Sequence, residues 1–414
     1  MQGEGGLPVA VRRALALAAG GVLWFDPSSG VATAILYLAG LYGLWHFRST
    51  WACWRNPAGL LMGVGVLWAV LSLLWSFDPP STARDLIKTA PLLFGVWAVP
   101  VLFRGRTRIW TVLTVSAALV TARLGWEMAR LAAELGWPTV LTEARYTQPY
   151  LYTHPNVTSM MAGLCLLVFV ARALAGAPGV WRKAGLAAGF VLNAAYLIMM
   201  ASRGPQLVMA LALLALPVVA LPGWKARGAA LLLAIGIGAG LWQGMDKINP
   251  RFRDATVGNF NRRDTIWGHA KLLADRRPAL GYGYGKKVFY KAVYDNPDQR
   301  APLVPVKYPH PHSYWLMAYF QGGRVAFAVW SLAWLALGIR LVRQAARIER
   351  NAGSWRERLR TRALPVLLLT AMASILVYGL ADYPDHVLRH TLFYLVGLAM
   401  ALGAPERVAA GTAR

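Results

Sequence analysis

Runs of about 20 apolar residues recur along nearly the whole chain, each long enough to cross a bilayer as a helix. The stretches "MGVGVLWAVLSLLWSF" (62–77) and "FAVWSLAWLALGI" (327–339) are clear cases. A membrane β-barrel would need short alternating segments, and the sequence has none of that pattern. It predicts an all-α, polytopic helical membrane protein. About twelve segments are expected, near 9–25, 29–47, 57–77, 86–103, 109–133, 155–175, 183–201, 205–221, 228–245, 312–340, 364–381 and 386–404. The first has Arg12 and Arg13 before its apolar stretch and so resembles a signal peptide. With Met1 at the head of the chain it reads instead as an uncleaved first helix.

Composition agrees with the pattern: 57% of residues are hydrophobic and the mean hydropathy is +0.43, well above soluble globular proteins. The net charge of +25 raises nucleic acid as a partner, but the cations are spread over alternate connections. Arg48 and Arg55, the trio Arg104, Arg106 and Arg108, then Arg172, Arg182 and Lys183, then Lys225 and Arg227 form one set. That set ends in "RLVRQAARIERNAGSWRERLRTR", with eight arginines. The other short connections, "DPSSG", "DPPSTARD" and "DYPDH", are poor in cations. Membrane topology explains this better than nucleic acid, and places the basic set and both termini in the cytoplasm. Junctions such as "WACW" (Trp51–Trp54) fit interfacial aromatic belts. Cys53 and Cys165 fall too far apart in this layout to pair, and no cysteine spacing suits a metal.

One connection breaks the rule of short loops. Residues 247–311 separate two spans on the outer face, and loops of that length are functional or disordered. Within it "RRDTIWGHAKLLADRRP" carries Ile266, Trp267, Ala270, Leu273 and Ala274 near helical spacing. A helix there is expected to lie along the membrane surface or to dock on the bundle. The loop is rich in cations, which suits either a solvated basic surface or an anionic headgroup such as a diphosphate. "LGYGYGK" (Leu280–Lys286) resembles a phosphate-cradling glycine loop only superficially, and a tight turn supported by tyrosines is the better expectation. At the end of the loop, "KYPHPHSYWLMAYFQGG" (Lys307–Gly323) places His310 and His312 before a long apolar helix. Such a pair can bind metal, seal a helix end or accept a proton. A metal would need further ligands, and only His269, His154 or nearby acids are on hand.

Three motifs, in this order, resemble those of bacterial O-antigen ligases. They are "SRGPQL" (Ser202–Leu207), "RDTIW" (Arg263–Trp267) and "HPHSYWLMAYFQGG" (His310–Gly323). The wider superfamily includes O-antigen polymerases and protein O-oligosaccharyltransferases. The family pattern has an arginine and a leucine separated by three residues, matched by Arg203 and Leu207. Its histidine is followed by Asn, Gln or Ser, matched by His312 and Ser313, with a later glycine at Gly323. The small, Tyr or Thr position beyond falls on Ala326, a departure.

The resemblance implies a single transmembrane glycosyltransferase domain over 1–414, in a bacterial inner membrane, with the 247–311 loop periplasmic. The donor would be a glycan on undecaprenyl diphosphate and the acceptor a sugar hydroxyl of lipid A–core oligosaccharide, without metal, ATP or cofactor. His312, at a helix N-terminus whose dipole disfavours imidazolium, would be the general base. Arg203 and Arg263 would hold the diphosphate, with Arg145 as a further contact and His310 as the secondary candidate. A single displacement would invert the anomeric centre. A retaining route would need a carboxylate nucleophile, for which Asp254, Asp264 and Asp275 are available without a motif to recommend them. A polymerase or protein glycosyltransferase would share the site and differ in acceptor. A flippase of lipid-linked glycans is the alternative from another class, resting on Arg123, Glu127 and Arg130 in the fifth segment.

The cation asymmetry predicts that Ser354 and Asp298 lie on opposite sides of the membrane. With single cysteines introduced by Ser354→Cys and Asp298→Cys, an impermeant thiol reagent added to intact spheroplasts should label position 298 alone. Labelling at 354 and not at 298 would invert the topology.

Overall fold

The computed structural model describes Ala14 and residues 30–143, 154–176, 179–248, 263–295, 308–351, 353–384 and 386–402. The described residues form helices α1 (Gly30–Trp45), α2 (Phe47–Trp54), α3 (Pro57–Leu71), α4 (Pro79–Leu102), α5 (Arg106–Leu135), α6 (Trp137–Glu143), α7 (Pro155–Leu174) and α8 (Val180–Met199). They continue with α9 (Arg203–Ala220), α10 (Trp224–Ile248), α11 (Arg263–Arg276), α12 (Lys286–Tyr294), α13 (Tyr314–Asn351), α14 (Trp355–Ala381) and α15 (His386–Leu402). Among the described residues there is no strand.

Eight of these helices are long and apolar enough to span a bilayer, or nine if α1 and α2, bent by 96° at His46, count as one span. The protein is a multi-pass helical membrane protein. Eleven of the twelve expected segments correspond to helices, but α8 is not among the eight spans and α15 is a shorter apolar helix. The segment expected at 9–25 lies outside the described residues, apart from Ala14.

Local chemistry sets the helix starts. Asn56 caps α3 by accepting from Gly59 N at 3.2 Å, with Pro57 in the first position. His154 caps α7 through Nδ1, which accepts from Asn156 N at 3.2 Å. Ser354 caps α14 by accepting from Glu357 N at 3.2 Å. Helix α7 is almost wholly buried at the centre of the bundle, packed by α5, α8, α9, α14 and α15. In lipid, packing contacts and interhelical hydrogen bonds replace the hydrophobic drive. Accordingly Gly397 sits against Val99, where a Cβ would come within 2.6 Å, and the buried Asn193 of α8 donates to Thr121 Oγ1 of α5 at 2.7 Å. Such a bond contributes about 0.6 kcal/mol.

A second core forms at one end of the bundle. Ile266, Ala270, Leu273 and Ala274 of α11 bury their expected face against Val288, Phe289, Ala292 and Val293 of α12 and Met317 and Phe320 of α13. The loop helix therefore docks on the bundle rather than lying free. Its seat is a break in α13, where Gly322 (φ −133°) and Gly323 (φ +66°, ψ −163°) leave the helical region. The carbonyls freed there accept from the glycine loop: Tyr282 N donates to Phe320 O and Gly283 N to Gln321 O, both at 2.9 Å. Arg324 N donates to Pro278 O at 2.7 Å, and Trp68 Nε1 donates to Gly322 O at 3.0 Å. Tyr282 stacks on Phe320 at 4.7 Å, under the Arg277 guanidinium. "LGYGYGK" is thus a turn that tyrosines support, as expected, and it plugs a helix break.

Gly323 is in a backbone region that is essentially closed to other residues, and a Cβ there would collide with Ala279 O. Gly323→Ala should cost more than about 3 kcal/mol and lower Tm by several degrees. Gly63→Ala, on a helix face with open space around it, should leave Tm unchanged or raised. Equal melting of the two variants would overturn this account of the break.

Candidate functional site

His312 lies between Pro311 and Ser313, just before α13, in a turn held from several directions. Its φ of +47° is rare for a residue with a side chain. Its N–H donates to His310 Nδ1 at 3.3 Å, and its carbonyl accepts from Trp267 Nε1 of α11 at 3.3 Å. Ser313 then caps α13, its Oγ accepting from Leu316 N at 3.3 Å and donating to Gly379 O of α14 at 3.4 Å. The turn therefore ties α11, α13 and α14 together and aims the imidazole.

The ring points at Asp382, the residue that ends α14. His312 Nδ1 is 3.1 Å from Asp382 Oδ1, which also accepts from Tyr383 N at 2.9 Å. Oδ2 accepts from Tyr378 Oη at 2.7 Å and from Asn156 Nδ2 at 3.1 Å. Arg263 Nη2 stands 3.5 Å from the same oxygen, an ion pair that is long for a hydrogen bond. Asp382 is 7% exposed. Burial pushes its carboxyl up, but hydrogen bonds from His312 and Tyr378 and the Arg263 charge outweigh this and hold it well below the usual carboxylate range. A carboxylate only accepts, so the proton shared with His312 belongs on Nδ1. Nε2 then carries the lone pair, on a side chain that is 31% exposed. Such an arrangement can take a proton and stabilise the imidazolium that results.

The structure brings His312, His310 and Arg263 together. The two histidine rings lie 4.5 Å apart, and Tyr383 lies 5.1 Å from His310. Arg203 begins α9 and is half-buried. A Cβ on the next residue, Gly204, would touch the Tyr378 ring at 3.7 Å, so the first turn of α9 lies beside the residue that donates to Asp382. The turn before it is clasped by Gln206, whose Nε2 donates to Leu197 O at 3.0 Å. Arg145 and Asp254 lie outside the described residues. Asp264 is exposed on α11, while Asp275 is held by Lys271 at 2.5 Å and by Tyr319 at 2.8 Å.

The carboxylate facing His312 is therefore none of the three singled out from the sequence. Asp382 stands in "DYPDH", which by itself reads as a cation-poor connection. Its position at the end of an apolar helix was the available signal. Asn156, in "THPN", and Tyr378, one turn before Asp382, had no local signal at all. Among the described residues no three His, Cys, Asp or Glu side chains are grouped to hold a metal. The expected transport cluster resolves into a chain along α5: Arg130 bridges Glu127 at 3.1 Å and Glu134 at 2.9 Å near the helix end.

Residues 188–331 match the family model described as O-antigen ligase. That span contains Arg203, Arg263, His310 and His312. It supports glycosyl transfer of the O-antigen ligase and polymerase type, in keeping with the superfamily that the three motifs resemble. No curated protein matches the chain.

The lowered Asp382 fixes a pH dependence. A carboxyl held down in the folded state contributes stability above its unfolded pKa, near 4, and loses it as pH falls towards the folded value. Wild-type Tm should drop as pH is taken from about 5 to 3, and Asp382→Asn should flatten that slope. An identical slope in the variant would mean that other carboxylates carry it.

Proposed function

We propose that the protein is an O-antigen ligase. It transfers a glycan from undecaprenyl diphosphate to a sugar hydroxyl of lipid A–core oligosaccharide, at the periplasmic face of a bacterial inner membrane. On this reading residues 1–414 form one transmembrane glycosyltransferase domain, with 247–311 as its periplasmic loop and both termini cytoplasmic. The observation that carries it is the His312–Asp382 contact at 3.1 Å, with Arg263 on the same carboxylate; His312 and Arg263 lie inside the stretch that matches the ligase family, and the end of α14 supplies Asp382 from beyond it.

The chemistry follows from the geometry. His312 Nε2 accepts the acceptor hydroxyl proton as the oxygen attacks the anomeric carbon, and Asp382 stabilises the imidazolium through Nδ1. The anomeric C–O bond breaks as the new bond forms, and the electron pair leaves with the lipid diphosphate. Arg203 and Arg263 stabilise that leaving charge, with Arg145 assigned as a further diphosphate contact. His310 accepts the His312 N–H and so braces the base. Outside the inner membrane there is no ATP, and the diphosphate supplies the activation. The reaction needs no metal and proceeds by one displacement, inverting the anomeric centre. Asp382 is already saturated by His312, Tyr378, Asn156 and Tyr383, so it orients the base rather than attacking. A polymerase or a protein O-oligosaccharyltransferase would use the same residues with another acceptor.

Reconstitution with a defined undecaprenyl-diphosphate glycan, in EDTA and without nucleotide, tests the reading. Lipid A–core, a second lipid-linked glycan and a serine-containing protein serve as alternative acceptors. Transfer to lipid A–core is expected. Transfer to either other acceptor alone reassigns the class, and dependence on an added divalent ion refutes the metal-free mechanism.

Side chains divide the labour. His312→Ala should cost roughly 10²–10⁴ in rate while leaving donor binding intact. Arg203→Ala should weaken donor binding as well, and Arg203→Lys should rescue only part because it lacks the planar fork. Near-wild-type transfer by folded His312→Ala would remove it as the base, with His310 the next candidate.

A further inference from the structure

At the end of the bundle remote from His312, three helices bring arginines towards one another. Arg172 stands in the last turn of α7, Arg182 in the first turn of α8 and Arg360 in the second turn of α14. Arg172 is within electrostatic reach of both others, all carrying the same sign. Its guanidinium is fixed over the buried ring of Trp110, 5.2 Å from the centroid. Arg106 locks the neighbouring helix to the same spot, its Nη1 donating to Thr361 O at 3.0 Å. Among the described residues, none of Arg172, Arg182 and Arg360 is in an ion pair with a carboxylate.

Three like charges held together repel one another, most strongly where protein and lipid lower the dielectric. An anion at their centre reverses the sign of that energy. The surroundings specify its kind. Beside Arg182, Trp181 is 87% and Val180 72% exposed, and the apolar face continues along α8 through Val191, 63% exposed. Tryptophan and arginine at the end of a span mark the headgroup level of a bilayer, and an exposed apolar face below it meets acyl chains.

We propose that Arg172, Arg182 and Arg360 form a binding site for the phosphate headgroup of an anionic glycerophospholipid, with its acyl chains along the exposed face of α8. Guanidinium groups suit phosphate because they offer paired donors, and Arg172 is preorganised by Trp110. The site lies at the opposite end of the membrane from His312 and is independent of the transfer reaction proposed above.

The test uses the purified full chain in nanodiscs of phosphatidylcholine, with phosphatidylglycerol titrated in. Retained lipid is counted by native mass spectrometry and Tm is followed in parallel. Phosphatidylglycerol should be retained and should raise Tm, while phosphatidylcholine should do neither. The exposed pair Arg182→Gln with Arg360→Gln should weaken apparent affinity about twenty-five-fold, near five-fold for each arginine. Arg343→Gln, on α13 at the same end, should leave it unchanged. Arg172→Gln adds a further loss if folded, but the exposed pair decides alone. Equal phosphatidylglycerol retention by the pair and the wild type overturns the proposal. So does an equal effect of inorganic phosphate, which would leave the apolar face without a part. A matching loss in Arg343→Gln would reduce the effect to general surface charge and overturn it as well.

Discussion

A break inside a helix frees backbone N–H and C=O groups, and it persists only where the protein supplies them with partners. The interruption of α13 at Gly322–Gly323 is such a place, and much of the structure is organised around it. The partners come from residues 278–283, some forty positions earlier, with Trp68 of α3 completing the set. That one docking event fixes the outer core of α11 and α12 onto the bundle. It thereby fixes Arg263 and Trp267, both in the first turns of α11, against the turn at His312. Lys291 of α12 adds a 2.7 Å ion pair to Asp78, at the start of α4. Burial there helps to raise the Tyr308 hydroxyl well above its ordinary value.

The second constraint is charge. At the histidine end Asp382 is the buried carboxylate that Arg263 and His312 share. An ionised carboxylate in low dielectric is costly unless its oxygens are filled, and here Tyr378, Asn156, His312 and the Tyr383 N–H fill them. Removing any one donor raises the cost of the charge that the rest share. The network therefore acts as a unit across α7, α11, α13 and α14, although those helices are distant in sequence.

This is why the sequence was only partly legible. Apolar runs and cation asymmetry describe single segments, so the long apolar helices from Gly30 onward could be read, while the polar ends at Pro79, Asn351 and Trp355 run well beyond the expected bounds and α2, α6 and α12 carried no such signal. The face of α11 was legible for the same reason: Ile266, Ala270, Leu273 and Ala274 repeat with helical period. His312, Arg203 and Arg263 stood out through short motifs. Asp382 did not, because its significance lies in what surrounds it. No motif distinguishes it from Asp264 or Asp275, which lie on the exposed side of α11. The seat of the glycine loop was equally hidden, since "LGYGYGK" and "QGG" become partners only when α13 breaks.

Among the described residues, two without a glycine's freedom adopt a positive φ: Ala201 at +43° and His312 at +47°. Each precedes the start of a helix that serves the cluster, α9 and α13. Backbone in this region costs about 1–3 kcal/mol and persists only when neighbours over-determine it. Around Ala201 the clasp is Gln206 on the carbonyls of Leu197 and Ile198. Around His312 it is His310, Trp267 and Ser313. Strain of this kind is useful where a group must be aimed before its substrate arrives. Both costs fall on the turns that present Arg203 and His312, and folding has already met them. The proposed transfer gains from that order of events, because neither donor nor acceptor then has to shape the site.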